Sequence, residues 1–286
     1  MTHFVPAGNR TASPENLSFA GKLGVLVTGV TVPKSDGGRM TNAHHAVTFM
    51  TADGIKLAAW DVPAATNRAV AILFHGYATS KAVMKSEAAI LRELGLRTVL
   101  VDFRGAGDSE GWVTTVGWKE ALDVTAATDW AQRKYPGLPV ILLGQSMGAV
   151  AVLRANPRVE GMILECPYDK FLTTVGHRYR QMGLPAFPFA HLLLFWGGVQ
   201  HGFDPFRLNP VREAERVTCP ALVLAGEHDP WVLPAEARSV ASAMKGPTQF
   251  VLFTNGGHGS FASEEYRLTL GAWLDATLSR RSGTGK

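Results

Sequence analysis

The chain has 286 residues, of which 46% are hydrophobic and 18% are charged, and its formal net charge is +4. This composition can fill a large core and excludes intrinsic disorder, while the mild, scattered positive charge argues against a nucleic-acid partner. Cys166 and Cys219 are too few for a disulfide framework. Each lies beside a proline at the edge of an apolar stretch, so both are predicted to be small buried side chains.

The first 43 residues are predicted to form an N-terminal segment and a linker. Residues 1–16 are polar and are expected to be frayed, and residues 33–43 have a linker composition. Residues 17–32 are more apolar but include Lys22, and they lack the basic start and cleavage site of a signal peptide. A helix packed on the domain and a helix lying on a membrane surface both fit this stretch. We expect a cytoplasmic protein, with peripheral membrane association through 17–32 as the alternative.

Residues 44–279 alternate between apolar strands and amphipathic helices. Two apolar runs joined through Asp53-Gly54 predict a β-hairpin over 47–60. Further strands are predicted at 69–74, 97–101, 139–143, 161–165, 220–225 and 249–253, and helices at 81–94, 117–134, 149–154, 234–244 and 263–278. This alternation predicts an α/β fold with a mostly parallel sheet, helices on both faces and antiparallel strands at one edge. A basic tail is predicted at 280–286.

Residues 167–217 interrupt that alternation, because no strand is predicted across them. They carry several prolines and an apolar run from His191 to Trp196, and the segment is too long for a plain connection. Two interpretations fit: a helical insertion that only packs on the body, and a lid over a binding site. The lid, placed at about 168–217, is favoured because the segment leaves a strand close to the predicted site.

A Gly-x-Ser-x-Gly pattern lies at 144–148, between an apolar strand and a helix. In this context Ser146 occupies the apex of a tight turn, and its hydroxyl is lifted clear of the sheet. The flanking Gly144 and Gly148 are expected to pass too close to neighbouring backbone for any Cβ. Ser146 is therefore the candidate nucleophile.

A serine hydroxyl needs a base to take its proton and a third group to orient that base. Asp229 follows the end of the strand predicted at 220–225, and His258 lies in a glycine-rich loop after the last predicted strand. Their order, serine then acid then histidine, fits a catalytic triad. A helix-capping role for Asp229 is the plain alternative, and Glu227 is a competing acid.

A tetrahedral intermediate also needs hydrogen-bond donors for its negatively charged oxygen. The amide of Met147, at the start of the helix after Ser146, is one candidate. The amide of Tyr77, in the loop after strand 69–74, is the other.

Together these residues resemble the α/β-hydrolase fold, in its serine hydrolase branch of esterases, lipases, thioesterases and acylaminopeptidase-like enzymes. The resemblance spans about 45–279 and includes the opening Thr51-Ala52-Asp53-Gly54 hairpin and the loop from Asp102 to Ser109. It implies Ser146 as nucleophile, His258 as base, Asp229 as its orienting group, and the Tyr77 and Met147 amides as the oxyanion hole. It also implies that Arg104 anchors loops.

We therefore expect a serine hydrolase that cleaves carboxylic esters of short to medium acyl chains, with a small-molecule ester as substrate and no cofactor or metal. A peptidase, amidase or thioesterase using the same triad is one alternative, and a non-catalytic binding protein of the same fold is another. Tyr77, Trp196 and Trp231 are the predicted walls of the substrate pocket. No pattern in the sequence indicates an oligomeric state.

Overall fold

The computed structural model describes residues 2–6, 11, 18, 21, 24–25, 28–181, 183–259 and 261–283. The strands are β1 (Thr2–Val5), β2 (Val30–Pro33), β3 (His45–Met50), β4 (Lys56–Val62), β5 (Ala69–Phe74), β6 (Leu96–Val101), β7 (Val113–Thr114), β8 (Val140–Gln145), β9 (Gly161–Glu165), β10 (Ala221–Gly226) and β11 (Thr248–Phe253). The helices are α1 (Lys85–Glu93), α2 (Glu120–Lys134), α3 (Met147–Ala155), α4 (Phe171–Gln181), α5 (Phe189–His201), α6 (Pro210–Ala214), α7 (Pro234–Ala243) and α8 (Glu264–Gly283), with short 3-10 turns at Lys81–Met84 and Pro205–Arg207.

An eight-stranded sheet forms the body of the domain, in the order β11-β10-β9-β8-β5-β6-β4-β3. Strands β5, β6 and β8 to β11 pair in parallel, whereas β4 is antiparallel to both of its neighbours. The predicted parallel sheet with an antiparallel hairpin at one edge is therefore confirmed. Carboxyl ends of parallel strands share one edge of the sheet, so the loops after β5, β8, β10 and β11 meet there.

Alternate residues of the central strands pack into two hydrophobic cores, one on each face of the sheet. In β5, Val70 and Ile72 join one core and Ala71 and Leu73 join the other. All six residues of β5 are buried. Helices cover both faces, which explains why the central strands read as continuous apolar runs rather than as alternating patterns.

A second, three-stranded sheet contains two strands of the N-terminal segment, where no strand was predicted. Its order is β2-β1-β7, with β1 parallel to β2 and antiparallel to β7. The frayed segment predicted at 1–16 is wrong for Thr2–Val5, and the helix predicted over 17–32 is wrong for its last residues, which begin β2. Most of 17–27 lies outside the described residues, so a helix or membrane contact there stays a prediction.

The C-terminal helix is longer than expected. The sequence predicted its end near 278 and a basic tail at 280–286, but α8 continues to Gly283. Arg280 lies in the last turn of this helix, where a positive charge interacts favourably with the helix dipole. Residues 284–286 lie outside the described part of the chain. Among the described helices, none has the length and apolar character needed to cross a bilayer.

Residues 167–217 contain helices but no strand among the described positions, as predicted. Phe171 and Leu194, from α4 and α5, pack with Val150 of α3 and with Val232. The hydroxyl of Tyr168 donates a 2.7 Å hydrogen bond to the carbonyl of Val116. This insertion is thus packed against the edge of the sheet where the site lies.

Candidate active site

Ser146 stands at the turn between β8 and α3 with φ 52° and ψ −111°. This backbone conformation is rare for a residue with a side chain and marks a strained turn. A Cβ on Gly144 would lie 2.6 Å from the amide nitrogen of Ala149, and a Cβ on Gly148 would lie 2.3 Å from the carbonyl oxygen of Phe74. Both flanking positions therefore require glycine, as the sequence pattern predicted.

Asp229 and His258 form a hydrogen-bonded pair, with 2.7 Å between the Asp229 Oδ2 and His258 Nδ1 atoms. The other carboxylate oxygen of Asp229 accepts from the amides of Trp231 at 2.7 Å and Val232 at 3.0 Å. These three bonds fix the carboxylate and, through it, the imidazole ring. The competing acid Glu227 is exposed, whereas Asp229 is buried.

The Asp229 carboxyl group is held in its ionised form. Burial by itself would raise its pKa. The hydrogen bond and charge of His258, together with the Val232 and Trp231 amides, outweigh that effect and lower the pKa of Asp229 below its usual value. An ionised acid beside Nδ1 keeps the Nε2 atom of His258 available as a base.

Glycines bring the histidine loop against the two neighbouring strand ends. A Cβ on Gly226, the last residue of β10, would lie 2.2 Å from the carbonyl oxygen of Gly257. Gly259 has φ +72°, and a Cβ there would lie 2.0 Å from the side-chain nitrogen of Gln145. The loop carrying His258 thus packs against the residue that precedes Ser146.

The two predicted oxyanion donors follow the paired strands β5 and β8. Met147 is the first residue of α3, and the first amides of a helix have no acceptor within it. Tyr77 lies in the loop after β5, where the Nε2 atom of the buried His75 ring accepts a 3.1 Å bond from the Phe103 amide. Both amides are therefore carried by backbone whose position is fixed by packing.

Contacts from the N-terminal segment also reach the Tyr77 loop. The Tyr77 and Thr2 hydroxyl groups are hydrogen-bonded to each other. The Ser35 hydroxyl donates to the carbonyl of Thr79 at 2.7 Å, and the Ser80 hydroxyl donates to the carbonyl of Asp36 at 2.6 Å. No sequence pattern predicts these contacts, because they join residues far apart in the chain.

A mostly apolar cavity of about 170 Å³ adjoins Ser146, Met147 and His258. Its other lining residues are Thr2, Val30, Tyr77, Val116, Tyr168, Phe171, Thr174, Val175, Arg178, Leu193, Leu194, Trp231 and Val232. The predicted wall residues Tyr77 and Trp231 lie there, but Trp196 does not. Helix α5 turns Leu193 and Leu194 inward, and Trp196 is on the other face, where 41% of it is exposed.

Cys166 is a neighbour of the acid–base pair that the sequence did not identify. Its sulfur lies within 4.8 Å of ligand atoms of Asp229 and His258. Burial, with the nearby charge of Asp229, raises the pKa of the Cys166 thiol well above its usual value. The thiol therefore stays protonated at neutral pH and is a poor nucleophile.

Arg104 joins the strand-end loops, as the resemblance of the sequence to the α/β-hydrolase fold implied. Its guanidinium group contacts Asp53 in the opening hairpin at 2.7 Å and Asp123 in α2 at 2.7 Å. Arg104 is therefore a structural residue outside the cavity.

Comparison with solved structures identifies this architecture. An esterase from Pyrococcus furiosus, Pf2001, superposes with a TM-score of 0.70 over 85% of this chain and 96% of that chain, at 22% identity. The chain has the α/β-hydrolase fold. A family model described as serine aminopeptidase, S33, matches residues 65–188 of the chain.

Sequence relatives match parts of the chain. It is 24% identical to the uncharacterized protein YqkD of Bacillus subtilis over 194 residues, which are 64% of this chain and 63% of that protein. It is 37% identical to human monoglyceride lipase over 111 residues, 37% of each chain. The match thus spans less than two thirds of these relatives, and the chain resembles esterase- and lipase-like serine hydrolases.

Proposed function

We propose that the protein hydrolyses carboxylic esters of short to medium acyl chains through a covalent acyl-enzyme formed on Ser146. The observation that carries the proposal is the 2.7 Å pair of Asp229 and His258, with His258 and Ser146 lining one apolar cavity. The apolar walls favour an acyl chain, and the cavity of about 170 Å³ favours a short one. The names of the Pyrococcus esterase and human monoglyceride lipase support an ester substrate.

The proposed reaction has two stages, acylation of Ser146 and hydrolysis of the acyl-enzyme. His258 takes the proton of Ser146 as the hydroxyl oxygen attacks the ester carbonyl, and the Met147 and Tyr77 amides stabilise the oxyanion. The tetrahedral intermediate collapses as His258 returns the proton to the leaving alcohol. A water molecule, deprotonated by His258, then attacks the acyl-serine, and His258 returns that proton to the Ser146 oxygen as the bond breaks and the acid is released.

Labelling with a fluorophosphonate probe tests the nucleophile. We expect the wild-type protein to be labelled at Ser146 and the Ser146→Ala variant to be neither labelled nor active on p-nitrophenyl esters. Circular dichroism of both proteins controls for folding. Absence of labelling in the folded wild type would favour a non-catalytic binding protein and exclude this mechanism.

A peptidase or amidase using the same residues is the second candidate, because the matching family model is described as a serine aminopeptidase. Comparing kcat/KM for an acyl p-nitrophenyl ester, an acyl thioester and an aminoacyl p-nitroanilide separates the alternatives. We expect the ester to have the highest kcat/KM. A higher kcat/KM for the anilide would indicate a peptidase instead.

A further inference from the structure

Arg178, on helix α4 of the insertion, places a positive charge in the wall of the cavity. Among the described lining residues it carries the one permanent charge, and its neighbours there are chiefly apolar. The side chain is also exposed to solvent. Arg178 and Ser146 therefore line one cavity that is open at the arginine.

The guanidinium group has no carboxylate partner within 4.0 Å among the described residues. Its charged group lies 4.7 Å from the centre of the Trp231 ring. Contact with an aromatic ring occupies one face of a guanidinium and leaves the N–H groups at its edge free. Asp229, the nearest acid that its charge reaches, is already bonded to His258 and two amides.

Other arginines near the insertion are accommodated differently. Arg154 pairs with Glu213 at 2.8 Å, and Arg180, two residues along α4, contacts the carbonyl of Gly176 and lies outside the cavity lining. Burial lowers the pKa of Arg178, and the charges of Tyr77 and Asp229 offset this effect in part. A bound anion would offset it further.

We propose that Arg178 binds a carboxylate or phosphate group of the substrate, so that the preferred substrates are esters carrying an anionic group. This inference rests on the proposed esterase function. A bidentate contact between guanidinium and an anionic oxygen pair is strong because it forms two parallel, charge-assisted hydrogen bonds. The anion belongs either to the acyl part or to the alcohol part of the ester.

Two matched substrate pairs distinguish these sources. The first compares mono-p-nitrophenyl glutarate with the neutral ester in which an isopropyl group replaces the carboxylate. The second compares monobutyryl glycerol phosphate with monobutyrin. We expect the wild type to prefer the anionic member of one pair at low ionic strength, and the pair that shows the preference identifies the side on which the anion lies.

Substitutions on one helix turn provide the control. We expect Arg178→Gln to lower kcat/KM for the preferred anionic ester roughly ten- to hundredfold while changing the neutral ester less than about twofold. Arg178→Lys should have an intermediate effect, and Arg180→Gln should leave both values unchanged. Equal losses for anionic and neutral esters, or no anionic preference in the wild type, would overturn the inference.

A binding measurement keeps this test separate from the esterase assignment. In Ser146→Ala, calorimetry with monomethyl glutarate measures anion binding without catalysis. We expect binding that weakens at least tenfold in the Ser146→Ala, Arg178→Gln double variant. If wild-type protein neither labels nor hydrolyses esters but this difference remains, the esterase assignment fails and the anion site stands. If the two variants bind alike, the anion site is rejected.

Discussion

The hydroxyl groups of Thr2 and Tyr77 are hydrogen-bonded, which joins β1 to the loop that follows β5. Thr2 is 5% exposed, and it lines the same cavity as Tyr77. The N-terminal strand therefore contacts the residue whose amide is the proposed oxyanion donor. This strand lies before the family match at 65–188.

Removing the Thr2 hydroxyl should weaken catalysis without unfolding the protein. We expect Thr2→Val to lower kcat/KM for a p-nitrophenyl ester about two- to tenfold, the loss of one hydrogen bond. Tyr77→Phe should have a similar effect, and the double variant should be little worse than either single variant because the two hydroxyls share one bond. Thr31→Val, in the adjacent strand and outside the cavity, is the matched control; fully additive losses would contradict a shared bond.

Loss of the charge on Asp229 should disable His258 as a base. We expect Asp229→Asn to lower kcat by roughly three to four orders of magnitude, since an amide no longer selects the productive tautomer of the ring. Glu227→Gln, which changes the exposed acid two residues away, should retain near wild-type kcat. Steady-state kinetics on one ester measures both, and a large loss in Glu227→Gln would reassign the acid.

Two helical glycines should respond to alanine in opposite directions. In Gly148→Ala the new methyl group meets the carbonyl of Phe74 at 2.3 Å, so we expect the free energy of unfolding to fall by about 1–3 kcal/mol or more. In Gly271→Ala, in α8, the nearest atom outside the helix is a flexible Leu94 methyl at 3.4 Å. There we expect a gain of about 0.5–1 kcal/mol. Urea unfolding tests both signs.

Glu165 should make stability depend on pH. Burial, together with the nearby Glu87 carboxyl group, raises the pKa of Glu165 to about 8, while Tyr266 donates to it at 2.5 Å. The folded protein thus keeps the proton that the unfolded chain releases near its ordinary value of 4.5. The resulting stability is fully present below about pH 4.5 and is lost as pH rises towards 8.

Glu165→Gln should abolish that dependence, because an amide does not ionise. We expect the variant to gain stability relative to the wild type between pH 5 and pH 8, by an amount on the order of a few kcal/mol. Urea unfolding at both pH values measures the gain, with Glu93→Gln, an exposed position, as control. A difference between variant and wild type that is the same at both pH values would show that Glu165 does not titrate in this range.

Local patterns were sufficient to predict the main sheet and the candidate reacting groups. The continuous apolar strands, the glycines around Ser146 and the order of Asp229 and His258 are encoded within a few residues of each position. Their spatial meeting then follows from parallel strands having a common carboxyl edge. The sequence therefore predicts that Asp229 and His258 are close, because each follows the carboxyl end of a parallel strand.

Patterns in the sequence did not predict contacts between residues that are far apart in the chain. The strand β7 has two residues, and β1 pairs with it across more than a hundred positions, so neither has a readable periodicity. The orientation of α5 was also hidden, because its run of apolar residues is nearly unbroken and does not show that Trp196 faces outward. The proximity of Cys166 to the acid–base pair depends on a turn after β9 rather than on a motif.

Strands β9 and β10 are adjacent in the sheet, although residues 167–217 separate them in the chain. The insertion therefore connects two neighbouring strands. Their pairing does not depend on the length of the insertion. Ser146, Asp229 and His258 all lie outside it, whereas Arg178, Leu193 and Leu194 lie within it. Exchanging this segment would therefore change the walls of the cavity while leaving Ser146, Asp229 and His258 in place, so the fold allows the pocket to vary without moving those three residues.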